Sequence, residues 1–142
     1  MTATTEPEAD RVADATARIG TDRYHVDLQA GRHGLAADEP ADGGGADTGP
    51  PPFGLVLSGL GACTAITLRM YADRKQWPLE GVDVQLAYTV KDRVTRWIDR
   101  QITVRGPLEH DQRARLAEIA EKTPVTRAVR AGTEIRTAVA GA

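Results

Sequence analysis

Only one cysteine, Cys63, occurs in a chain of 142 residues, and that scarcity removes whole classes of chemistry. A single thiol supports neither an intramolecular disulfide framework nor a thiolate-rich metal centre. The three histidines, His25, His33 and His110, have no metal-ligand spacing, so no metal and no other cofactor is expected. Excess basic charge is also missing: 18 Lys and Arg stand against 20 Asp and Glu, a formal charge of −2, and aromatic residues make up only 4%. Without a basic stripe interleaved with aromatics, nucleic acid is not an expected partner. The opening MTATTEPEADRVAD holds no apolar run of the kind a signal peptide needs, and its acids speak against a transit peptide. These features predict a cytoplasmic protein.

What is present is concentrated between Pro50 and Trp77, where Cys63 lies in the most apolar part of the chain. Pro50, Pro51 and Pro52 are tolerated at a helix start but not inside one, which predicts a helix beginning near Phe53. Leu55, Val56, Leu57, Leu60, Ile66, Leu68, Met70 and Tyr71 then cover nearly every face, the pattern of a buried helix. Arg69, Asp73, Arg74 and Lys75 near its end, and small residues inside it, argue against a membrane span. Ser58, Gly59, Gly61 and Ala62 are too small to fill space and allow close approach of another backbone, from this chain or a second copy. Trp77-Pro78 closes the helix, because the residue before proline is pushed out of the helical region.

Around this helix the chain alternates and breaks in a readable order. Residues 1 to 14 are polar and aperiodic, predicting a disordered tail, with a single domain over 15 to 142. Ala15 to Ile19, Tyr24 to Gln29 and Leu35 to Ala37 read as a three-stranded meander. Asp38 to Pro52, DEPADGGGADTGPPP, is a long loop of glycine, proline and acids, and loops of that length are usually functional or disordered. Val82 to Val90 and Val94 to Arg105 alternate as a hairpin, with Ile98, Ile102 and Val104 on one face. Leu108 to Lys122 predicts an amphipathic helix, Pro124 to Arg130 a short second one started by Thr123, and Thr133 to Val139 a last strand. The order predicts an α+β fold in which two helices cover a sheet.

The run LSGLGACTAITLRMYADRKQWPLEGVDV, with the acidic glycine loop before it and LAEIAEKTPVTRAV after it, resembles the OsmC/Ohr family, and its OsmC-like branch most, over residues 16 to 139. The resemblance implies an intertwined homodimer with paired central helices. It also implies reduction of organic hydroperoxides by a peroxidatic cysteine, which Cys63 matches. The family's second cysteine falls at Thr123, in Lys122-Thr123-Pro124-Val125, so no resolving disulfide forms within the chain. A carboxylate that the peroxidase members carry at the helix entrance falls at Phe53 and Gly54, and Glu39 is a substitute only if the loop folds over the site. That carboxylate orients an arginine of the N-terminal strands, for which Arg23 is the nearest match and Arg32 the second.

A free thiol titrates near pH ~8.5 and needs a cation, a helix N-terminus or a metal to ionise at neutral pH. Cys63 stands well inside its helix, where the dipole offers little, so an arginine or histidine has to activate it. Two readings follow. One is a thiol-dependent peroxidase with Cys63, Arg23 and Arg32 as site residues and an external thiol as reductant. The other is an inactive dimer that binds or senses a small apolar or oxidised ligand. Neither involves a membrane.

Overall fold

The computed structural model describes residues 7–141, so Met1 to Glu6 of the predicted tail, and Ala142, lie outside the described residues. Residues 7–14 carry no regular secondary structure. The chain divides into two compact units, one ending at Leu55 and one beginning at Val56.

In the first unit, β1 (Ala15–Arg18), β2 (Val26–Ala30) and β3 (His33–Ala37) form an antiparallel meander, as the alternation predicts. Ala17 faces Leu28, and Leu28 faces Leu35 in turn. The loop after β3 contains one 3₁₀ turn, Ala41–Gly43, closed by Gly44 at φ 88°. Gly45 comes so close to Glu39 and Asp38 that a Cβ there would overlap the Glu39 carbonyl. Glycine at positions 44 and 45 is therefore a requirement of a tightly folded loop.

The helix α1 (Pro52–Lys75) starts at the third proline of the run. By length and composition it is apolar enough to cross a membrane. Its buried residues, Leu60, Thr64, Leu68 and Ala72, recur every fourth position and mark a single packed stripe. The prediction of burial on all faces is corrected here: Val56, Ile66 and Met70 are 46%, 54% and 62% exposed. A helix covered on one side by its own chain leaves its other apolar faces bare. The helix ends two residues earlier than Trp77. Gln76 takes a left-handed conformation (φ 57°), its N–H bonds the Asp73 carbonyl, and the Trp77 N–H bonds the Ala72 carbonyl. This is a Schellman closure made without glycine.

The second unit continues with β4 (Gly81–Lys91) and β5 (Thr95–Arg105), a long antiparallel hairpin in which Val84 faces Ile102 and Tyr88 faces Ile98. Then come α2 (His110–Ala120) and α3 (Pro124–Ala131). A reciprocal capping box of Glu109 and Gln112 starts α2, and Pro124 sits at the first turn of α3. Leu68, Ala72, Leu79, Leu108, Leu116 and Ala120 make the buried core, with Val82, Ile102 and Val104 packed against it. The core therefore lies where the second half of α1, the inner face of the hairpin and α2 meet.

The α+β class is borne out, with two departures in detail. The strands form two sheets, of three and two strands, instead of one. Thr133 to Val139 is not a strand among the described residues, and Ile135 and Val139 are 86% and 94% exposed. An alternating sequence becomes a strand only beside a pairing edge, and this segment has none in the single chain.

Candidate thiol site and its polar surroundings

Cys63 stands on α1 one position before the buried Thr64 and is half-buried. Its Sγ lies 4.0 Å from Thr67 Oγ1, one helical turn on. Residues at i and i+4 share a face, so this contact follows from the sequence spacing alone. It is a weak, neutral contact, and the thiolate needs more than that.

Cys63 belongs to the second unit, whereas Arg23 and Arg32 belong to the first. Arg23 lies in the loop between β1 and β2 and lines an open cavity of about 580 Å³ with Thr21, His25, Gly45 and Thr48. Arg32 lies in the tight turn between β2 and β3 and is exposed. Neither arginine makes an ion pair among the described residues.

The polar centre of the first unit is Asp38, which the sequence reading passed over in favour of its neighbour Glu39. Asp38 is 2% exposed. Its carboxylate accepts backbone N–H groups from Tyr24 (3.2 Å), Glu39 (2.7 Å), Ala46 (3.3 Å) and Thr48 (3.1 Å). The Thr48 hydroxyl adds a donor at 2.6 Å. That hydroxyl first, and the backbone donors after it, hold the Asp38 carboxyl well below the usual carboxylate range, against the opposing effect of burial. His25 lies 2.6 Å from Thr48 Oγ1 and 2.9 Å from Asp27 Oδ1, tying β2 to the loop. The loop from Asp38 is thus wound around a buried anion. An aspartate at a strand end ahead of a triple glycine and a threonine is the signal that could have found it, since Asx side chains bond nearby backbone in turns.

The polar centre of the second unit is Arg100, also missed. It sits in the inward row of β5, Ile98-Arg100-Ile102-Val104, and its side chain is 11% exposed. Nη1 donates to Thr64 Oγ1 (3.0 Å) and Thr126 Oγ1 (2.8 Å), and Nη2 to the Ala120 carbonyl (3.1 Å). Glu121 Oε1 lies 3.6 Å away. Glu121 also accepts from Arg130, which first, with Arg100 adding to it, holds its carboxyl below the usual range. Thr123, at the position the resemblance assigns to a resolving cysteine, is fully buried, its hydroxyl 2.6 Å from that of Thr126. Thr123 is thus one member of a hydroxyl cluster on a fixed guanidinium. An arginine between isoleucines in an alternating strand is the sequence signal for such a centre.

Comparison with known proteins agrees with this fold. The family model for OsmC-like proteins matches residues 43–138. No curated protein matches the sequence. Among solved structures, an OsmC-like protein from Mycoplasma pneumoniae superposes with a TM-score of 0.73 at 17% identity, over 86% of this chain and 89% of its own. An organic hydroperoxide resistance protein OsmC from Legionella pneumophila gives 0.62 at 20% identity, over 87% and 92%. The organic hydroperoxide resistance protein OhrB of Bacillus subtilis gives 0.59 at 22%, over 84% and 91%. The match of the family model over most of the chain, on a fold shared with these structures, makes this chain a member of the OsmC-like protein family.

Proposed function

We propose that the chain is a thiol-dependent, peroxidase-like protein that reduces organic hydroperoxides through Cys63, as a homodimer in the cytoplasm, with an external thiol as reductant. The observation that carries this reading is the place of Cys63 on an unpartnered apolar seam. Val56, Gly59, Cys63, Ile66 and Met70 follow one another at spacings of three and four along α1, the repeat of a helix-pairing face. Three of them are 46% to 62% exposed in the single chain. A second copy laid on this seam surrounds the thiol with apolar surface suited to a lipophilic peroxide. Such a partner also offers an edge to the exposed, alternating Thr133 to Val139 segment. Two of the structural neighbours are named for organic hydroperoxide resistance, which supports the substrate class.

The chemistry has two steps. The Cys63 thiolate attacks the terminal peroxide oxygen, the O–O bond breaks, and the products are a sulfenic acid and, after one proton is taken up, an alcohol. With Thr123 in place of a second thiol, an external thiol condenses with the sulfenic acid, releasing water, and a second thiol returns Cys63 to the reduced state with formation of the external disulfide. The resemblance assigns Arg23 and Arg32 as the cations that favour the thiolate.

Steady-state consumption of cumene hydroperoxide with dihydrolipoamide tests the proposal. Turnover is expected for the native chain and loss of at least a hundredfold for Cys63→Ser. Equal rates in the two proteins, or none in either, would sink it. In the second case the fully engaged Thr123 favours the other reading, a dimer that binds a ligand without turning it over.

A further inference from the structure

The segment that carries Arg23 has almost no bonds of its own. Residues 20–24, between β1 and β2, form neither helix nor strand, and one backbone hydrogen bond holds them among the described residues, from the Tyr24 N–H to Asp38 Oδ1 at 3.2 Å. The next residue reaches the same carboxylate through one hydroxyl. Thr48 gives its single hydroxyl hydrogen to Asp38 Oδ2, so His25 Nδ1 donates to Thr48 Oγ1, 2.6 Å away. The Tyr24 ring also lies against Gly44, where a Cβ would come within 3.3 Å of its Cε2. Both residues that follow Arg23 are therefore held through Asp38.

The same carboxylate shapes the surface that faces the arginine. It accepts the amides of Ala46 and Thr48, and the Asp38 N–H closes the neck of the loop on the Pro50 carbonyl at 3.2 Å. The cavity lined by Arg23 takes Gly44, Gly45, Ala46 and Thr48 from that loop, none of them an acid. The charges near the guanidinium are Asp22 on its own segment and His25. Arg32 lies away from this arrangement. Val26 pairs with Ala37, next to Asp38, whereas Ala30 pairs with His33 at the other end, so the Arg32 turn stands ~13 Å off along β2.

We propose that Asp38 is a positioning residue for the thiol chemistry: it fixes Arg23, rather than Arg32, as the cation that favours the Cys63 thiolate. The inference rests on the reading of Cys63 as a thiolate nucleophile. A cation shifts an ionisable neighbour only from within ~4–6 Å, and an unbonded segment would not keep a guanidinium at such a distance. Side chains that must act at a set distance are supported by a second layer of hydrogen bonds, and here that layer converges on one buried anion.

Alkylation of Cys63 by iodoacetamide, followed across pH on the full chain, tests this, because it reads the thiolate of the only cysteine without requiring turnover. At pH 7, Arg23→Gln and Asp38→Asn should each slow it at least ~tenfold, with profiles displaced to higher pH. The double variant should be no slower than Arg23→Gln alone, and Arg32→Gln should slow it less. Thr48→Val keeps the carboxylate and should displace the profile in the same direction, and Thr48→Ser should return it. A loop that is merely loosened lowers Tm and leaves the profile where it was. Slowing in Arg23→Gln without slowing in Asp38→Asn or Thr48→Val would overturn the role of Asp38 and leave the thiol reading standing. No change in Arg23→Gln, or a larger one in Arg32→Gln, would overturn the choice of Arg23 and the proposal with it. A native chain that shows the expected pattern yet consumes no cumene hydroperoxide would support the positioning and sink the peroxidase reading alone.

Discussion

Asp38 and Arg100 are both nearly buried charges, and the protein satisfies them in different ways. Asp38 has no cation against it among the described residues: four backbone N–H groups and one hydroxyl carry the negative charge. Arg100 draws on side chains and a carbonyl from three helical elements, Thr64 on α1, Ala120 at the end of α2 and Thr126 on α3, with Glu121 at longer range. The difference assigns them different work. An anion held by backbone amides organises one loop, since all its donors but the Tyr24 amide lie within 10 positions of it along the chain. A cation held by hydroxyls on separate helices joins elements distant in sequence, 36 positions for Thr64 and 26 for Thr126. Removing Arg100 should therefore loosen the second unit's packing, and removing the charge on Asp38 should loosen only the loop and the Tyr24 backbone held with it.

The largest expected effect is that of Arg100→Met. The methionine fills part of the volume but removes the guanidinium donors of two threonine hydroxyls and of the Ala120 carbonyl, which keeps only the 3.5 Å contact from Thr126. An unsatisfied buried polar group costs about 1–3 kcal/mol, so a loss of roughly 3 kcal/mol is expected. Urea unfolding followed by far-UV circular dichroism measures it. A loss under about 0.5 kcal/mol would mean that Arg100 is an adornment of the hairpin and not a joint between helices.

Asp38→Asn comes next, and its signature is a pH dependence. The folded carboxyl titrates below its unfolded value of ~3.9, so the native state binds fewer protons than the unfolded one as pH falls through that value. Its contribution is fully present above pH ~4 and is lost as the pH drops below it toward the lower folded value. The native chain should therefore lose Tm between pH 5 and 3 more steeply than Asp38→Asn, which should start lower at pH 7. Limited proteolysis at pH 7 should cut the variant first between Glu39 and Thr48, whose amides the carboxylate holds. Parallel pH profiles for the two proteins would break the contrast with Arg100.

Much of this was legible in the sequence, and what was missed has a common cause. The meander, the hairpin and the two short helices follow from alternation, glycine and proline, and appear within a few residues of their expected ends. Cys63 was conspicuous as the only thiol, and the family followed from its surroundings. Asp38 and Arg100 were missed because a buried charge does not announce its burial. Arg100 carries the right parity for the inward face, but reading that face only for apolar residues skipped from Ile98 to Ile102. Asp38 was read as one acid in an acidic loop, because its partners are backbone amides that no side-chain pattern reveals. The bare faces of α1 and the unpaired segment after Gly132 depart from expectation for the opposite reason. Their patterns describe buried surfaces, and a pattern does not say which chain does the burying.

The smallest expected effect concerns a place where neither kind of polar centre operates. The end of α1 is closed by backbone alone, through the bonds from Gln76 to Asp73 and from Trp77 to Ala72. Gln76 holds φ 57° to make that closure, a conformation that costs an L-residue with a side chain about 1 kcal/mol and glycine almost nothing. Gln76→Gly should therefore stabilise the chain, by about 0.5–1 kcal/mol once the greater freedom of glycine in the unfolded chain is set against the relieved strain. The sign separates this site from the other two, where every substitution removes a bond. A destabilised Gln76→Gly would mean that the glutamine side chain carries a contact of its own, and that the helix end before Trp77 depends on a side chain as the loop at Asp38 and the joint at Arg100 do.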